Sequence, residues 1–345
     1  MPEKLSPEAF LAAADQYPIL DVRSPGEYLR AHIPGAISFP IFDDAERARV
    51  GTTYKQVGKD AAIELGLEFV GPKMAQWVKM AKKLAVDNTI LEHCWRGGMR
   101  SGSMAWLFET AGLKVKILVG GYKAYRNYVL SEFDRKIPFV VLGGKTGSGK
   151  TDILLEMQKR GAQVIDLEGI AHHRGSVFGH LGLAPQPTSE HFENEVVAQL
   201  RQMDYSKPIW IEDESRHIGQ VFMPLGLYSQ LRAAPILFLD IAAEYRLPHL
   251  VEVYAHYPKE ALAHAVGKIK KRLGGDFYKS AIEALEVDDF TQVAAITLNY
   301  YDKAYVHGLH QRAPEQIQEI VIQTLETQAQ TDAVMTHPIC QTTFS

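Results

Sequence analysis

Short apolar runs recur along the chain, separated by stretches with helical spacing. Residues Pro7 to Gln16 read as a helix, and Pro18-Ile19-Leu20-Asp21-Val22 follows as a buried strand. A second run, Thr89 to His93, ends at Cys94. Ser101 to Thr110 then predicts a helix that stops at Gly112, and Val115 to Val119 predicts a strand ending in Gly120-Gly121. Strands that alternate with helices imply a parallel sheet covered on both faces. Polar residues Ser131 to Lys136 interrupt the pattern before a new strand, Phe139 to Leu142. Further buried runs lie at Gln163 to Leu167, Pro208 to Ile211 and Pro235 to Leu239, and helical spacing continues to about Glu326. The expected organisation is an α/β domain over 1–130, a linker over 131–137, and a second α/β domain with C-terminal helices over 138–326. Residues 327–345 are rich in Thr and Gln without periodicity, which predicts a disordered tail. No internal repeat is visible.

Composition changes this picture little. With 345 residues, 46% hydrophobic and 23% charged, the chain is ordinary globular material long enough for two cores. No apolar run reaches the ~20 residues of a membrane helix. Met1-Pro2-Glu3-Lys4 leads into polar sequence, so neither secretion nor a membrane is expected and the cytoplasm is the expected compartment. Cys94 and Cys340, far apart, suggest a reducing environment rather than a disulfide framework. The net charge of −4 excludes neither nucleic acid nor small anions, because transient RNA binding needs only a local basic face.

The chemistry begins at His93-Cys94-Trp95-Arg96-Gly97-Gly98-Met99-Arg100-Ser101, between a predicted strand and a predicted helix. Backbone N–H groups of such a loop curl around an anion, and the helix N-terminus adds positive potential. Both favour thiolate at Cys94, and Arg96 and Arg100 are suited to a bound oxyanion. Trp95, Arg96, Gly97, Gly98, Met99 and Arg100 thus make up a candidate anion loop around a nucleophilic Cys94. The same spacing, His-Cys-x5-Arg-Ser, is the signature of cysteine phosphatases, so phosphatase chemistry stands as one alternative. Upstream, Asp21-Val22-Arg23-Ser24-Pro25-Gly26-Glu27-Tyr28 and His32-Ile33-Pro34-Gly35-Ala36 resemble the start of rhodanese domains, and Gly120-Gly121-Tyr122 resembles their closing segment. That resemblance implies sulfur or selenium carried on Cys94. The loop places Arg one residue later than an ordinary rhodanese loop, which suits a bulkier, phosphate-like donor.

Gly144-Lys145-Thr146-Gly147-Ser148-Gly149-Lys150-Thr151 satisfies the Walker A pattern, with a predicted strand before it and a predicted helix, Asp152 to Lys159, after it. Gly144, Thr146, Gly147, Ser148 and Gly149 would bring N–H groups to phosphate oxygens, Lys150 would reach the terminal phosphates, and Thr151 would hold Mg²⁺. The acidic partner is expected at the end of Ile209-Trp210-Ile211-Glu212-Asp213-Glu214, with Asp213 as first choice and Glu214 beside it. Asp166-Leu167-Glu168-Gly169 and His172-His173-Arg174-Gly175-Ser176 follow another strand, where ligands of parallel sheets gather. Arg174 and Arg216 are expected to face the phosphates. His172 and His173, being adjacent, lack useful metal-ligand spacing. Lys268-Ile269-Lys270-Lys271-Arg272 reads as a solvated helix face and is the best candidate for RNA phosphate contacts.

Taken together, these segments and Val50-Gly51-Thr52-Thr53-Tyr54-Lys55-Gln56-Val57-Gly58, Gly121-Tyr122-Lys123-Ala124 and Glu212-Asp213-Glu214-Ser215-Arg216 resemble the tRNA 2-selenouridine synthase family over roughly residues 15 to 310. The chain departs from that family in its Thr/Gln-rich tail and a shorter C-terminal helical region. The resemblance implies a rhodanese-like domain followed by a P-loop NTPase-like domain, and a two-step reaction on tRNA with 2-thiouridine at the wobble position. Geranyl diphosphate would first alkylate the sulfur, its diphosphate bound by the P-loop. Selenium from selenophosphate, carried on Cys94, would then replace the S-geranyl group. No tightly bound cofactor is implied beyond Mg²⁺ at Thr151 and Asp213. Two other classes remain open at this point: an ATP-dependent kinase with a rhodanese regulatory domain, and a non-catalytic RNA-binding adaptor.

Overall fold

The computed structural model describes residues 2–341, and the chain divides into two units between Glu132 and Phe133. The first unit contains β1 (Glu3–Leu5), β2 (Ile19–Asp21), β3 (Ile37–Ser38), β4 (Thr89–His93) and β5 (Lys114–Leu118). They form one sheet in the order β1-β5-β4-β2-β3, parallel throughout. Every residue of β2 and β4 is buried, because helices cover both faces of the sheet. Helix Met99–Thr110 begins two residues before its predicted start and buries Ser101, Met104, Ala105 and Phe108 on one face. That face packs into a core with Leu20, Val22, Phe39 and Ile90.

The second unit contains β6 (Phe139–Gly144), β7 (Gln163–Ile165), β8 (Ile209–Glu212), a small hairpin of β9 (His217–Ile218) and β10 (Val221–Phe222), β11 (Ile236–Asp240) and β12 (Ile317–Val321). Its main sheet runs β12-β11-β6-β8-β7, again parallel. Val140, Leu142, Ile153, Leu154, Trp210 and Leu237 form its core. A second apolar cluster, including Leu262, Val266, Leu285 and Val293, holds the C-terminal helices together.

In both sheets the chain reverses its direction of travel next to a central strand. The reversal falls between β2 and β4 in the first sheet and between β6 and its neighbours β8 and β11 in the second. Such switch points leave a crevice at the carboxyl ends of the strands. Cys94 follows β4 at one crevice, and the Walker A loop continues from the end of β6 at the other.

Two expectations about organisation are corrected. The linker is shorter than 131–137, since helix Gly121–Glu132 runs to Glu132 and Phe133 is already buried in the second unit, where its carbonyl accepts from Gln230 Nε2 at 2.8 Å. The disordered tail is in fact a helix, Thr327–Thr336, followed by a turn at Pro338–Gln341; positions 342–345 of that expected tail lie outside the described residues. Val334 and Ile339 insert into the core beside Ile153 and Leu154. The polar composition hides this docking because Thr331 Oγ1 donates to the Thr327 carbonyl at 2.7 Å and Gln330 Nε2 to the Thr324 carbonyl at 2.9 Å, so both are buried with partners. Among the described residues no helix is long and apolar enough to cross a membrane.

Candidate functional sites

Cys94 sits at the base of its loop, 3% exposed, with Sγ 3.3 Å from Ser101 Oγ. Burial alone pushes a thiol up. Here the Ser101 hydroxyl, the N–H groups of Ser101 and Arg96, and the Arg100 charge outweigh it and hold Cys94 below its ordinary value. Glu92, two residues earlier on β4, is pushed well up by burial and by the Cys94 charge. His93 is driven down to about 4 by complete burial and is neutral near pH 7.

The loop is held from below by the closing segment. Tyr122 N–H donates to the Cys94 carbonyl at 2.8 Å and Lys123 N–H to the Trp95 carbonyl at 3.0 Å. Gly121, at φ +61°, is required here, because a Cβ would overlap the Cys94 carbonyl oxygen and the Gly97 and Arg96 nitrogens. Arg23 braces the other rim. Its guanidinium binds both Asp21 oxygens at 2.9 and 2.6 Å, donates to the Ala31 carbonyl at 2.8 Å, and lies 3.8 Å over the Tyr122 ring. Of the expected loop residues, Trp95, Arg96, Gly98 and Met99 are exposed at the rim. Gly97 lies at φ +63° in the loop, and Arg100 is ion-paired with Glu27 at 2.7 Å.

In the second unit, Gly147 and Gly149 adopt φ +79° and +75°, and Gly149 caps helix Lys150–Lys159. The N–H groups of the loop and first helical turn form an anion cradle. Lys150 Nζ donates to the Gly144 carbonyl at 2.8 Å, placing the ammonium over that cradle. Ser148 is buried, while Thr146 is fixed from behind by Arg246. Arg246 is 1% exposed; it donates to the Thr146 and Ile241 carbonyls at 2.9 and 2.8 Å and pairs with Asp302 at 2.6 Å. Removing Arg246 leaves the Thr146 and Ile241 carbonyls and the partly exposed Asp302 without their partner and frees the loop. Arg246→Ala is therefore expected to destabilise this unit by about 3 kcal/mol, read from denaturant unfolding followed through Trp210. Trp210 reports on this unit, since the other tryptophans, Trp77, Trp95 and Trp106, belong to the first.

The acidic partner is not the expected one. Asp213 accepts from Arg312 Nη2 at 2.7 Å and from the Tyr305 hydroxyl at 2.8 Å, and Tyr305 in turn receives the Gly144 N–H at 2.9 Å. Through Tyr305 it supports the loop backbone at Gly144. Thr151 Oγ1 instead donates to Glu168 Oε2 at 2.9 Å. Glu168 and Glu214 are hydrogen-bonded to each other; burial raises both, the Glu168 charge raises Glu214 further, and Lys150 opposes the shift in each. Glu212, the residue preceding Asp213, is fully buried and accepts the Leu167 N–H at 2.7 Å.

Arg174 donates to the Leu181 carbonyl at 3.1 Å, and its charge acts on Tyr254 together with that of Glu168. Arg216 is exposed beside the β9–β10 hairpin. His172 bonds the Pro185 carbonyl and His173 stacks on His180; among the described residues no cluster of three or more His, Cys, Asp or Glu is arranged to hold a metal. Lys268, Lys270, Lys271 and Arg272 are exposed, anchored by buried Ile269 and Leu273. Ser101, Glu168, Arg246 and Arg312 were not assigned these roles from the sequence. Ser101 and Glu168 lie in segments already singled out by resemblance; Arg246 and Arg312 sit in helical and loop sequence with no motif to mark them.

A switch-point cysteine loop in one unit and a switch-point phosphate loop in the other define a two-domain protein of the rhodanese-plus-P-loop class. The rhodanese-like domain model matches residues 6–128, and the tRNA 2-selenouridine synthase AAA domain model matches residues 137–334. The chain belongs to the tRNA 2-selenouridine synthase family. Similar proteins named tRNA 2-selenouridine synthase come from Nitrosomonas europaea (33% identical, covering 86% of this chain and 90% of that protein), Bordetella petrii (35%, 84% and 86%) and Shewanella woodyi (36%, 86% and 89%).

Proposed function

We propose that this protein converts 2-thiouridine at the wobble position of tRNA into 2-selenouridine in two steps. In the first, the thiouridine sulfur attacks carbon 1 of geranyl diphosphate. A carbon–sulfur bond forms, the carbon–oxygen bond breaks, and diphosphate leaves with the bonding electrons as the base gives up its N3 proton. The N–H groups of Gly147 to Thr151 and the Lys150 ammonium receive the departing diphosphate, where preorganised positive charge lowers the barrier most. Thr151, Glu168 and Glu214 supply the hard oxygen donors that fit Mg²⁺. Mg²⁺ bound there would neutralise diphosphate charge. In the second step the Cys94 thiolate attacks the phosphorus of selenophosphate, a sulfur–phosphorus bond forming as the phosphorus–selenium bond breaks with its electrons on selenium. Selenide is released toward the base, and water then hydrolyses the S-phosphocysteine to phosphate. Carbon 2 of the base accepts the selenium and geranyl thiol departs, a far better leaving group than unalkylated sulfur.

What carries this reading is the joint presence, in a member of this family, of an intact thiolate-favouring loop and an intact phosphate loop, each at its sheet's carboxyl edge. The exposed tract Lys268 to Arg272 supplies charge for tRNA phosphates, and the cytoplasm is where thiolated tRNA and both donors would be met. The test is mass spectrometry of wobble nucleosides after the full chain is incubated with thiolated tRNA, geranyl diphosphate and selenophosphate. Geranylated and then selenated uridine is the expected sequence. ATP consumption with unmodified uridine would overturn it.

A further inference from the structure

The spacing His-Cys-x5-Arg-Ser is also that of cysteine phosphatases, and the donors of the Cys94 loop suit chemistry at phosphorus. Among the described residues, none of the N–H groups of Trp95 to Arg100 donates to a backbone oxygen. Those of Arg96 and Ser101 bond the Cys94 sulfur instead. Arg96 is exposed at the rim, and its guanidinium makes no hydrogen bond or ion pair among the described residues. A row of free N–H donors and a free cation around a thiolate is a receptor for a tetrahedral oxyanion. Donors that hold three oxygens leave the central atom facing Sγ and the fourth substituent pointing out of the mouth. For selenophosphate this puts phosphorus in line for attack and selenium in the leaving position.

The carboxyl and imidazole groups that border the loop are committed elsewhere. Glu27 is tied to Arg100 at 2.7 Å, Asp21 is buried against Arg23 at 2.6 Å, and Glu92 and His93 are fully buried in β4. The exposed side chains of the loop are Trp95, Arg96 and Met99, none of them an acid. A phosphate ester that must expel an alkoxide needs a proton donor, which contributes roughly 10²- to 10⁴-fold. Sulfide and selenide are stable anions and leave without one.

We propose that the Cys94 loop is a hydrolytic site in its own right. Without tRNA it cleaves thiophosphate and selenophosphate, and it cleaves phosphate esters only when the leaving group is a stable anion. This rests on the S-phosphocysteine step given above. With thiophosphate, the Cys94 thiolate attacks phosphorus, a bond from Sγ to phosphorus forms, and the bond to the outer sulfur breaks with its electron pair on that sulfur. Water then attacks the phosphorus of S-phosphocysteine, and the electron pair of the broken bond returns to Sγ. Thiophosphate and water thus give phosphate and hydrogen sulfide, one proton of the water ending on each.

The test uses the full chain with thiophosphate and no tRNA. Phosphate and sulfide are expected in equal amounts, with a phosphoryl group on Cys94 in the intact-protein mass after rapid quenching. p-Nitrophenyl phosphate should also turn over, and glycerol phosphate at least ~100-fold more slowly. Arg96→Ala should raise KM for thiophosphate about 10-fold through loss of a charge-assisted bond. Alkylation of Cys94 by iodoacetamide, a neutral reagent, should keep its wild-type rate in that variant. A persulfide on Cys94 with release of phosphite would overturn the attack on phosphorus. Glycerol phosphate cleaved as fast as the aryl ester would overturn the leaving-group rule. An enzyme that selenates tRNA yet leaves thiophosphate intact would strike the hydrolytic site and leave the proposed function standing. Loss of both would remove the reading beneath it.

Discussion

Cys94→Ala is expected to lower the formation of 2-selenouridine by at least roughly a thousand-fold while S-geranylated uridine accumulates, because only the second step needs the Cys94 nucleophile. Alanine fits the site without strain. Cys94 makes one side-chain hydrogen bond, to Ser101, and the loop is shaped by backbone contacts to Tyr122 and Lys123. A variant that still made 2-selenouridine at the wild-type rate would remove Cys94 from the chemistry. The environment of the thiol adds a pH dependence whose sign is fixed. A thiol held below its ordinary value is thiolate at lower pH, so alkylation of Cys94 by iodoacetamide should reach half its maximal rate below pH 9.0. Ser101 is the strongest of the groups that lower it, so Ser101→Ala should move that midpoint, and the alkaline rise of selenation, to higher pH. Nucleoside mass spectrometry at a series of pH values reads both effects.

Both loops were legible in the sequence because each is a local device. A glycine-bearing turn between a buried strand and a helix needs particular residues at fixed spacing, and Cys94 to Ser101 and Gly144 to Thr151 meet that need contiguously. The central strands were legible for a related reason, since β2, β4, β6 and β8 are buried on both faces and read as unbroken apolar runs. Helix Asp44–Gln56 gave no such signal because it buries none of its residues. Edge strands β1, β3 and β12 were also silent, being short or largely exposed. The site failed to read wherever it depends on residues distant in sequence. Asp213 looked like the metal-side carboxylate from its strand-end position, yet its neighbour at that end is Arg312, ninety-nine positions away. That partner pairs with the Asp213 charge, and Thr151 is bonded instead to Glu168, which is itself hydrogen-bonded to Glu214. Arg246 braces Thr146 across a hundred positions. Such contacts are tertiary facts, set by which helices the apolar clusters bring together. Composition misled in the same way at Thr327–Thr336, where threonine and glutamine satisfy themselves on local backbone and leave Val334 to dock.

Lys150→Ala is expected to damage the two steps in the opposite order to Cys94→Ala. Geranyl diphosphate carries its charge on the diphosphate, and Lys150 Nζ already lies over the cradle, 2.8 Å from the Gly144 carbonyl. Loss of one preorganised cation facing a leaving group in a partly buried site lowers the rate by about 10²- to 10³-fold. Geranylation should therefore fall by that factor, with weaker binding of inorganic diphosphate. The fold should hold, because Asp213, Tyr305 and Arg246 support the loop without the lysine. Supplying tRNA that is already geranylated should then restore selenation to near the wild-type rate, because Cys94 and its loop are untouched. An ATP-dependent kinase predicts no such rescue, since its P-loop lysine would serve ATP turnover alone. Unchanged geranylation in Lys150→Ala would refute a diphosphate site at this loop. Lost geranylation without rescue would mean that the two loops do not divide the reaction as proposed.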